Sequence, residues 1–362
     1  MPTSLYQTFG HKLGLVNQPT INYVAPDNGW VTDWVGKYIT SQIKRQYRIS
    51  IRLISRPNLV FNQIIHYGEL GAFIHRLGTQ HINYNLIIVT IFHGNRSEDY
   101  PELSNAVDQL IENANIPIKF VITCKIMEER LLRWGIPKEK LICIPLGVDL
   151  NKFKPISAQH RLSLRRIRGI PDEAFCIGSF QKDGVGWGEG LIPKLIKGPD
   201  IFLQVLDRLQ NSYKNLFILL SAPARGYIKT GLDSLGIQYH HEILPDYPSI
   251  IDLYHCLDTY LITSRDEGGP MSILESMACG IPIVSTRVGL APEMIDNNYN
   301  GLLADIEDLD TLTENMTQLI DNKTLRSRLV ANGINDIKPY DWETIARRYY
   351  NELYKPLLDS MQ

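Results

Sequence analysis

Apolar residues in this chain fall into short runs separated by longer stretches in which apolar and polar positions mix. The strongest run, Leu86-Ile87-Ile88-Val89-Thr90-Ile91, is nearly continuous, as a parallel strand covered on both faces requires. Comparable β-rich runs predict strands at 21–26, 49–54, 59–65, 119–123, 175–180, 216–221, 259–263 and 283–285. Between them the pattern turns helical. Trp30, Trp34 and Ile39 lie near one stripe of a helix over 30–42, and further helices are predicted over 199–209, 249–255 and 271–279. A helix carrying Arg130 ends near Trp134-Gly135, and over 342–358 Ile345, Tyr349, Leu353 and Leu357 recur every four residues. Strands alternating with helices imply an α/β protein with parallel sheets.

The most informative stretch runs from Arg265 to Gly280. The strand Thr259–Thr263 is followed by Asp266-Glu267-Gly268-Gly269-Pro270, and then by a helix that Gly280 stops as a left-handed cap, with Pro282 just beyond. Pro270 suits the first helical position, where its missing N–H is no loss. Gly268 and Gly269 lack Cβ atoms, so a ligand can approach their backbone closely. The amides of Met271 and Ser272 lie at the positive end of the helix dipole, a ready anion site. Glu267 on the turn and Glu275 further along the helix can face one cleft, where carboxylate oxygens suit sugar or ribose hydroxyls. The bland alternative is a solvated loop acid and a helix-surface acid around an ordinary cap.

Other candidates sit where strands end, since open α/β sheets bind ligands there. Gly29 lies in a turn after the first strand, His66 to Glu69 after the 59–65 run, and His93 in Phe92-His93-Gly94 after the strongest strand. The segment Gln181 to Asp200 is glycine-rich and long for a structureless loop, which favours a functional role. It is not a dinucleotide fingerprint, and no phosphate-binding P-loop occurs. Arg161, Arg165, Arg166 and Arg168 make a basic helical face, read as solvated.

Glu267 through Glu275, followed by Met277-Ala278-Cys279-Gly280-Ile281-Pro282, resembles the E-x7-E signature of the group 1 (family 4) retaining glycosyltransferases. The resemblance extends over most of 85–358. It implies two Rossmann-like, doubly wound parallel-sheet domains facing a cleft, the glycosyltransferase B-type architecture. Residues 1–157 with a returning terminal helix 341–362 would form the acceptor side, and 158–340 the nucleotide-sugar side. The implied reaction moves a hexose-type sugar from a nucleotide-diphosphate sugar to a sugar, glycan or lipid-linked acceptor, with retention and no catalytic metal. Lys197-Gly198 matches the family's Lys-Gly, so Lys197 would stabilise the departing diphosphate together with the amides of Met271 and Ser272. Glu275 would hold the ribose, and Glu267 and His93 the donor sugar; Ile243 and Leu244 would wall the nucleobase, and Gly29 would lie on the acceptor side. Four departures stand out: Gly269-Pro270 where the family often has Phe-Gly, Leu146 for Asn in the linker entrance, one glycine rather than two near Gly29, and Ser179 for the diphosphate-gripping Arg. Lys182 is the candidate substitute for that missing charge.

Composition adds limits. The 362 residues are 44% hydrophobic and 21% charged, ordinary globular values, and the length favours two domains. The net charge of −2 argues against a nucleic-acid protein. Residues 1–150 carry 15 Lys+Arg against 12 Asp+Glu, which leaves room for peripheral contact with a membrane surface. Cys124, Cys143, Cys176, Cys256 and Cys279 form no Cys-x-x-Cys pair, so buried reduced thiols are expected rather than a zinc site or disulfides. With no signal-like start and no membrane-spanning run, a cytoplasmic protein is expected, with the inner face of a membrane left open. No cofactor beyond the donor substrate is called for. Two rivals remain: a sugar-nucleotide epimerase or phosphorylase on the same fold, and a non-catalytic nucleotide-sugar binder.

Overall fold

The structure, a computed structural model, describes residues 19–26, 29, 31–57, 60–96 and 100–361. The chain divides into two compact units. One comprises 1–121, 134–142 and 346–362, the other 122–133 and 143–345. The Lys125–Arg133 helix and the residues from 143 onward fall in the second of these units.

The first sheet holds β1 (Ile21–Val24), β2 (Ile51–Ile54), β3 (Ile64–Tyr67), β4 (Leu86–Ile91), β5 (Lys119–Ile122) and β6 (Leu141–Cys143). Its order is β2-β1-β3-β4-β5-β6, with β1 parallel to both β2 and β3. Every residue of β1 and β3 is buried, Asn22 and His66 included, as strands covered on both faces require. Because the chain passes from β1 to β2 on one side and to β3 on the other, the topological switch lies between β1 and β3.

The second sheet holds β7 (Phe175–Ser179), β8 (Leu216–Ser221), β9 (Gln238–Glu242), β10 (Thr259–Ile262), β11 (Ile283–Thr286) and β12 (Leu302–Ala304). Its order, β12-β11-β10-β7-β8-β9, is that of a dinucleotide-binding sheet, with the switch between β7 and β10. Ile177, Ile218, Leu261 and Val284 of these strands pack in one core with Phe202, Val205 and Leu206 of the Pro199–Gln210 helix. Leu312 and Met316 of the Leu309–Asp321 helix, and Leu329 of the Lys323–Asp336 helix, join the same core.

Several expectations need correcting. The strand expected over 59–65 is Ile64–Tyr67, so His66 lies within β3 and not after it. There the His66 ring is buried, with Nδ1 2.6 Å from the Tyr354 hydroxyl and Nε2 2.8 Å from Thr90 Oγ1. The first helix runs over Val31–Gln46, longer than read, while Trp30 lies outside the described residues. The terminal helix is not uniform: Trp342–Arg348 and Lys355–Ser360 are α-helical, and Tyr349–Tyr354 between them is a π-helix. A four-residue apolar spacing drifts by about 40° per step on a helix of 3.6 residues per turn, and a wider turn brings such positions back into line. The basic face over 158–167 is not simply solvated. Arg165 is buried and, with Arg161, holds Asp258 at 2.9 and 2.8 Å, while Arg168 pairs with Glu242. The helices Gly226–Leu235, Leu309–Asp321 and Lys323–Asp336 have no counterpart in the pattern-based reading.

Candidate functional site

The switch point between β7 and β10 is where two connections of the second unit leave neighbouring strands. From β7 the chain runs through a glycine-rich excursion to Lys197, and from β10 it turns through Ser264 to Glu267. Lys197 Nζ meets Glu267 Oε1 at 2.6 Å, with the two side chains only 20% and 11% exposed. Ser264 Oγ donates to the same carboxylate oxygen at 3.0 Å.

The backbone under this pair is tightly fixed. Gly198 adopts φ 64°, and a Cβ there would lie 1.8 Å from the Thr263 carbonyl oxygen, so only glycine lets the two connections touch. Thr263 Oγ1 donates to the Gly198 carbonyl at 2.7 Å, and Gln181 Nε2 donates to the Lys197 carbonyl at 2.9 Å. Arg265 reinforces the junction through Asp200 at 2.8 and 2.7 Å and the Leu195 carbonyl at 2.6 Å. Its neighbour Asp266 is gripped by both Nη atoms of Arg130, at 3.1 and 2.9 Å. The Glu267 turn is thus held on both sides by arginines.

Past the turn, the helix spans Met271–Cys279 as predicted, ending on Gly280 at φ 73°. Pro270 is the N-cap, at φ −65° and ψ 110°, and not the first helical residue. Met271 and Ser272 therefore open the helix, and both are half-buried. Gly268 and Gly269 make close approaches to protein. The Gly268 carbonyl accepts from Cys124 Sγ at 2.9 Å, and a Cβ on Gly269 would come within 3.0 Å of Leu146 Cδ1.

Glu275 is not the helix-surface acid of the bland alternative. It is buried, Tyr254 donates to Oε2 at 2.5 Å, and Tyr247 donates to Oε1. Burial pushes its carboxyl up, and burial, with Glu275 alongside, holds the Tyr254 phenol well above its ordinary value. The two acids therefore have different surroundings: Glu267 a lysine and a serine, Glu275 two phenols.

Lys182 does not reach this group of contacts. Its Nζ stacks over the Trp187 ring at 4.5 Å, within a hairpin-like excursion closed by Val185 N to Ile192 O and Lys194 N to Asp183 O, at 2.9 and 2.7 Å. Ser179, in the position of the missing arginine, is buried against Arg225, a residue the motif reading overlooked. Arg225 donates to Ser179 Oγ at 3.0 Å and to the carbonyls of Ser179, Gln181 and Ser221, and pairs with the buried Asp183 at 3.1 Å. Only proximity in the fold reveals this, since Arg225 lies in no motif. Burial pushes Asp183 up to about 6 against the pull of Arg225.

The remaining candidates are more open. Ile243 is 67% exposed just past β9, and Leu244 is half-buried. In the first unit, Gly29 takes φ 74° after β1, and His93 is exposed just past β4. All five cysteines are free, with Cys143 half-buried and the other four buried. Among the described residues no group of three or more His, Cys, Asp or Glu is arranged to hold a metal ion, and no helix is long and apolar enough to cross a membrane.

Fold and site together define an α/β protein of glycosyltransferase B-type architecture, with an acid, a lysine and a helix start gathered at the switch point of the second sheet. Residues 192–336 match the family model described as Glycosyl transferases group 1. A D-inositol 3-phosphate glycosyltransferase of Corynebacterium urealyticum is 25% identical over 231 residues, 61% of this chain and 52% of that protein. An uncharacterised glycosyltransferase of Methanocaldococcus jannaschii is 40% identical over 96 residues, 26% of this chain and 27% of that protein. The chain thus spans about half the length of the first of these relatives, and less of the second. Among solved structures, Anabaena HepE in complex with UDP and glucose superposes with a TM-score of 0.73 at 17% identity, covering 92% of this chain and 99% of that one. The resemblance to the group 1 glycosyltransferases is shown by the family model over 192–336, and the likeness to HepE shows the shared fold over most of the chain.

Proposed function

We propose that this protein is a glycosyltransferase that moves a hexose-type sugar from a nucleotide-diphosphate sugar to a sugar, glycan or lipid-linked acceptor, with retention of anomeric configuration and without a catalytic metal. The observation that carries the reading is the Lys197–Glu267 contact at the switch point, beside the start of the Met271–Cys279 helix. A departing diphosphate needs fixed positive charge as its bridging bond breaks, and Lys197 with the amides of Met271 and Ser272 supplies it. Glu267 then accepts hydroxyls of the donor sugar, and Glu275 those of the ribose. In the resting protein Glu267 neutralises Lys197, so the lysine is kept in place until a diphosphate takes over its charge. Ile243 and Leu244 stay candidates for the nucleobase wall, and Gly29 and His93 for the acceptor and the donor sugar, on the resemblance alone. Lys182 would have to leave Trp187 to serve the diphosphate.

A non-catalytic nucleotide-sugar binder is the second reading, favoured by the absence of an arginine at Ser179, where Arg225 is buried and spent on carbonyls. The test is a panel of UDP-, GDP- and ADP-sugars, led by UDP-glucose because HepE binds UDP and glucose. Slow donor hydrolysis that vanishes in Glu267→Ala supports the transferase. Donor binding with no turnover under any acceptor supports the binder.

A further inference from the structure

Glu275 is the one acid of the site whose two oxygens are each taken by a phenol, and the two phenols are unlike. Tyr254 is fully buried at the end of the Ile250–Tyr254 helix, packed by Phe180 at 5.0 Å, Tyr260 at 5.6 Å and Phe153 at 6.4 Å between ring centroids. No ligand hydroxyl can take its place without dismantling that cluster. Tyr247 is half-buried on a single 3-10 turn, Tyr247–Ser249, that follows the exposed Asp246. Its hydroxyl meets Glu275 at Oε1, the oxygen that the buried Tyr254 leaves free.

A buried carboxylate must keep its acceptors satisfied, so a neighbouring donor stands ready when no other does. Resting on the donor-site reading above, we propose that Tyr247 occupies the place of a ribose hydroxyl on Glu275 and sets nucleotide affinity by competing with it. Binding exchanges one hydroxyl for another on Oε1: the Tyr247 O–H···O bond breaks, the ribose O–H···O bond forms, and no proton is transferred. The state able to bind is then only the fraction in which Tyr247 has turned away, and apparent affinity falls by that fraction. Tyr254 instead positions the carboxylate and stays in place throughout.

The two tyrosines therefore predict opposite signs, which a generally structural role would not give. Calorimetric titration with UDP, GDP and ADP separates them. Tyr247→Phe keeps the ring and its packing but removes the competing hydroxyl, and should bind the preferred nucleotide about five- to tenfold more tightly than wild type. Tyr254→Phe removes a donor no ligand can replace, and should bind it about tenfold more weakly. If wild type binds one of the three nucleotides and Tyr247→Phe binds it equally or more weakly, competition at Glu275 is overturned while the donor site stands. If neither wild type nor Tyr247→Phe binds any of the three, the donor-site reading falls and this inference with it.

Discussion

Lys197 and Glu267 are 70 residues apart in sequence, yet their charged atoms meet at 2.6 Å across the switch point of the second sheet. Neither connection alone makes a site; together they place one fixed cation and one fixed acid beside a helix start. Replacing Lys197 by Ala should lower kcat/KM for sugar transfer about 10²- to 10³-fold, the usual cost of removing one group that stabilises a developing anion. Glu267→Gln, which keeps the shape but loses the charge, should lower kcat at least tenfold and leave the thermal midpoint within a few degrees of wild type. Steady-state kinetics paired with thermal melts check both.

Gly198 makes this meeting sterically feasible. An alanine there must adopt a left-handed backbone and place its Cβ 1.8 Å from the Thr263 carbonyl oxygen. Gly198→Ala should therefore cost about 2–4 kcal/mol in denaturant unfolding, combining the left-handed penalty with displacement of one connection. An alanine at Gly186, where φ is also positive but the space is open, should cost about 1 kcal/mol, from the backbone alone.

Arg225 and Asp183 are buried at 0% and 1% side-chain exposure, and each needs the other. Arg225→Met leaves Asp183 without its cation and should destabilise the protein by about 3–5 kcal/mol. Asp183→Asn should be milder. Because burial has raised the Asp183 carboxyl to about 6, above its ordinary 3.8, this group favours the folded state below about pH 4 and loses that contribution as pH rises through 6. Urea titrations at pH 4.5 and 7 should show the pH difference shrink in Asp183→Asn.

His66 works in the opposite direction. Burial lowers its pKa from 6.5 to about 3, so it stays neutral between Tyr354 and Thr90. The unfolded chain takes up a proton at this residue below about pH 6.5 while the folded chain does not. Stability from this group is therefore whole above pH 6.5 and is lost by up to about 1.4 kcal/mol per pH unit as pH falls toward 3. His66→Gln should flatten that slope, read from denaturant midpoints between pH 4 and 7.

Where sequence punctuation is strong, the elements were readable to the residue. Leu216–Ser221 is buried throughout and Leu86–Ile91 at every position after Leu86, and Met271–Cys279 is bracketed by Pro270 and Gly280. β3 was misplaced because two apolar runs adjoin, and only the fold chooses between them. The Asn85 side chain accepts from Gln63 N at 2.9 Å and donates to the Val60 carbonyl at 2.7 Å, tying down the first run by a side chain in place of a strand neighbour. At the site, Lys197, Glu267 and the helix start were legible because glycines mark their backbone. The Arg225–Ser179 contact and the phenols on Glu275 were not, since their partners lie 46, 28 and 21 residues away in sequence and no local pattern links them. For Glu275, helical spacing gives the face it lies on, not what covers it.

In the proposed function, Lys197 holds the diphosphate of a nucleotide sugar and Glu267 holds its sugar. The most direct measurement is saturation-transfer NMR with UDP-, GDP- and ADP-glucose on wild type, Lys197→Ala and Glu267→Ala, with donor hydrolysis followed in the same tubes. The account predicts that one donor contacts the wild-type protein and is slowly hydrolysed, that Lys197→Ala weakens the contact at least tenfold, and that Glu267→Ala abolishes hydrolysis. Equal binding and hydrolysis in all three proteins would contradict it.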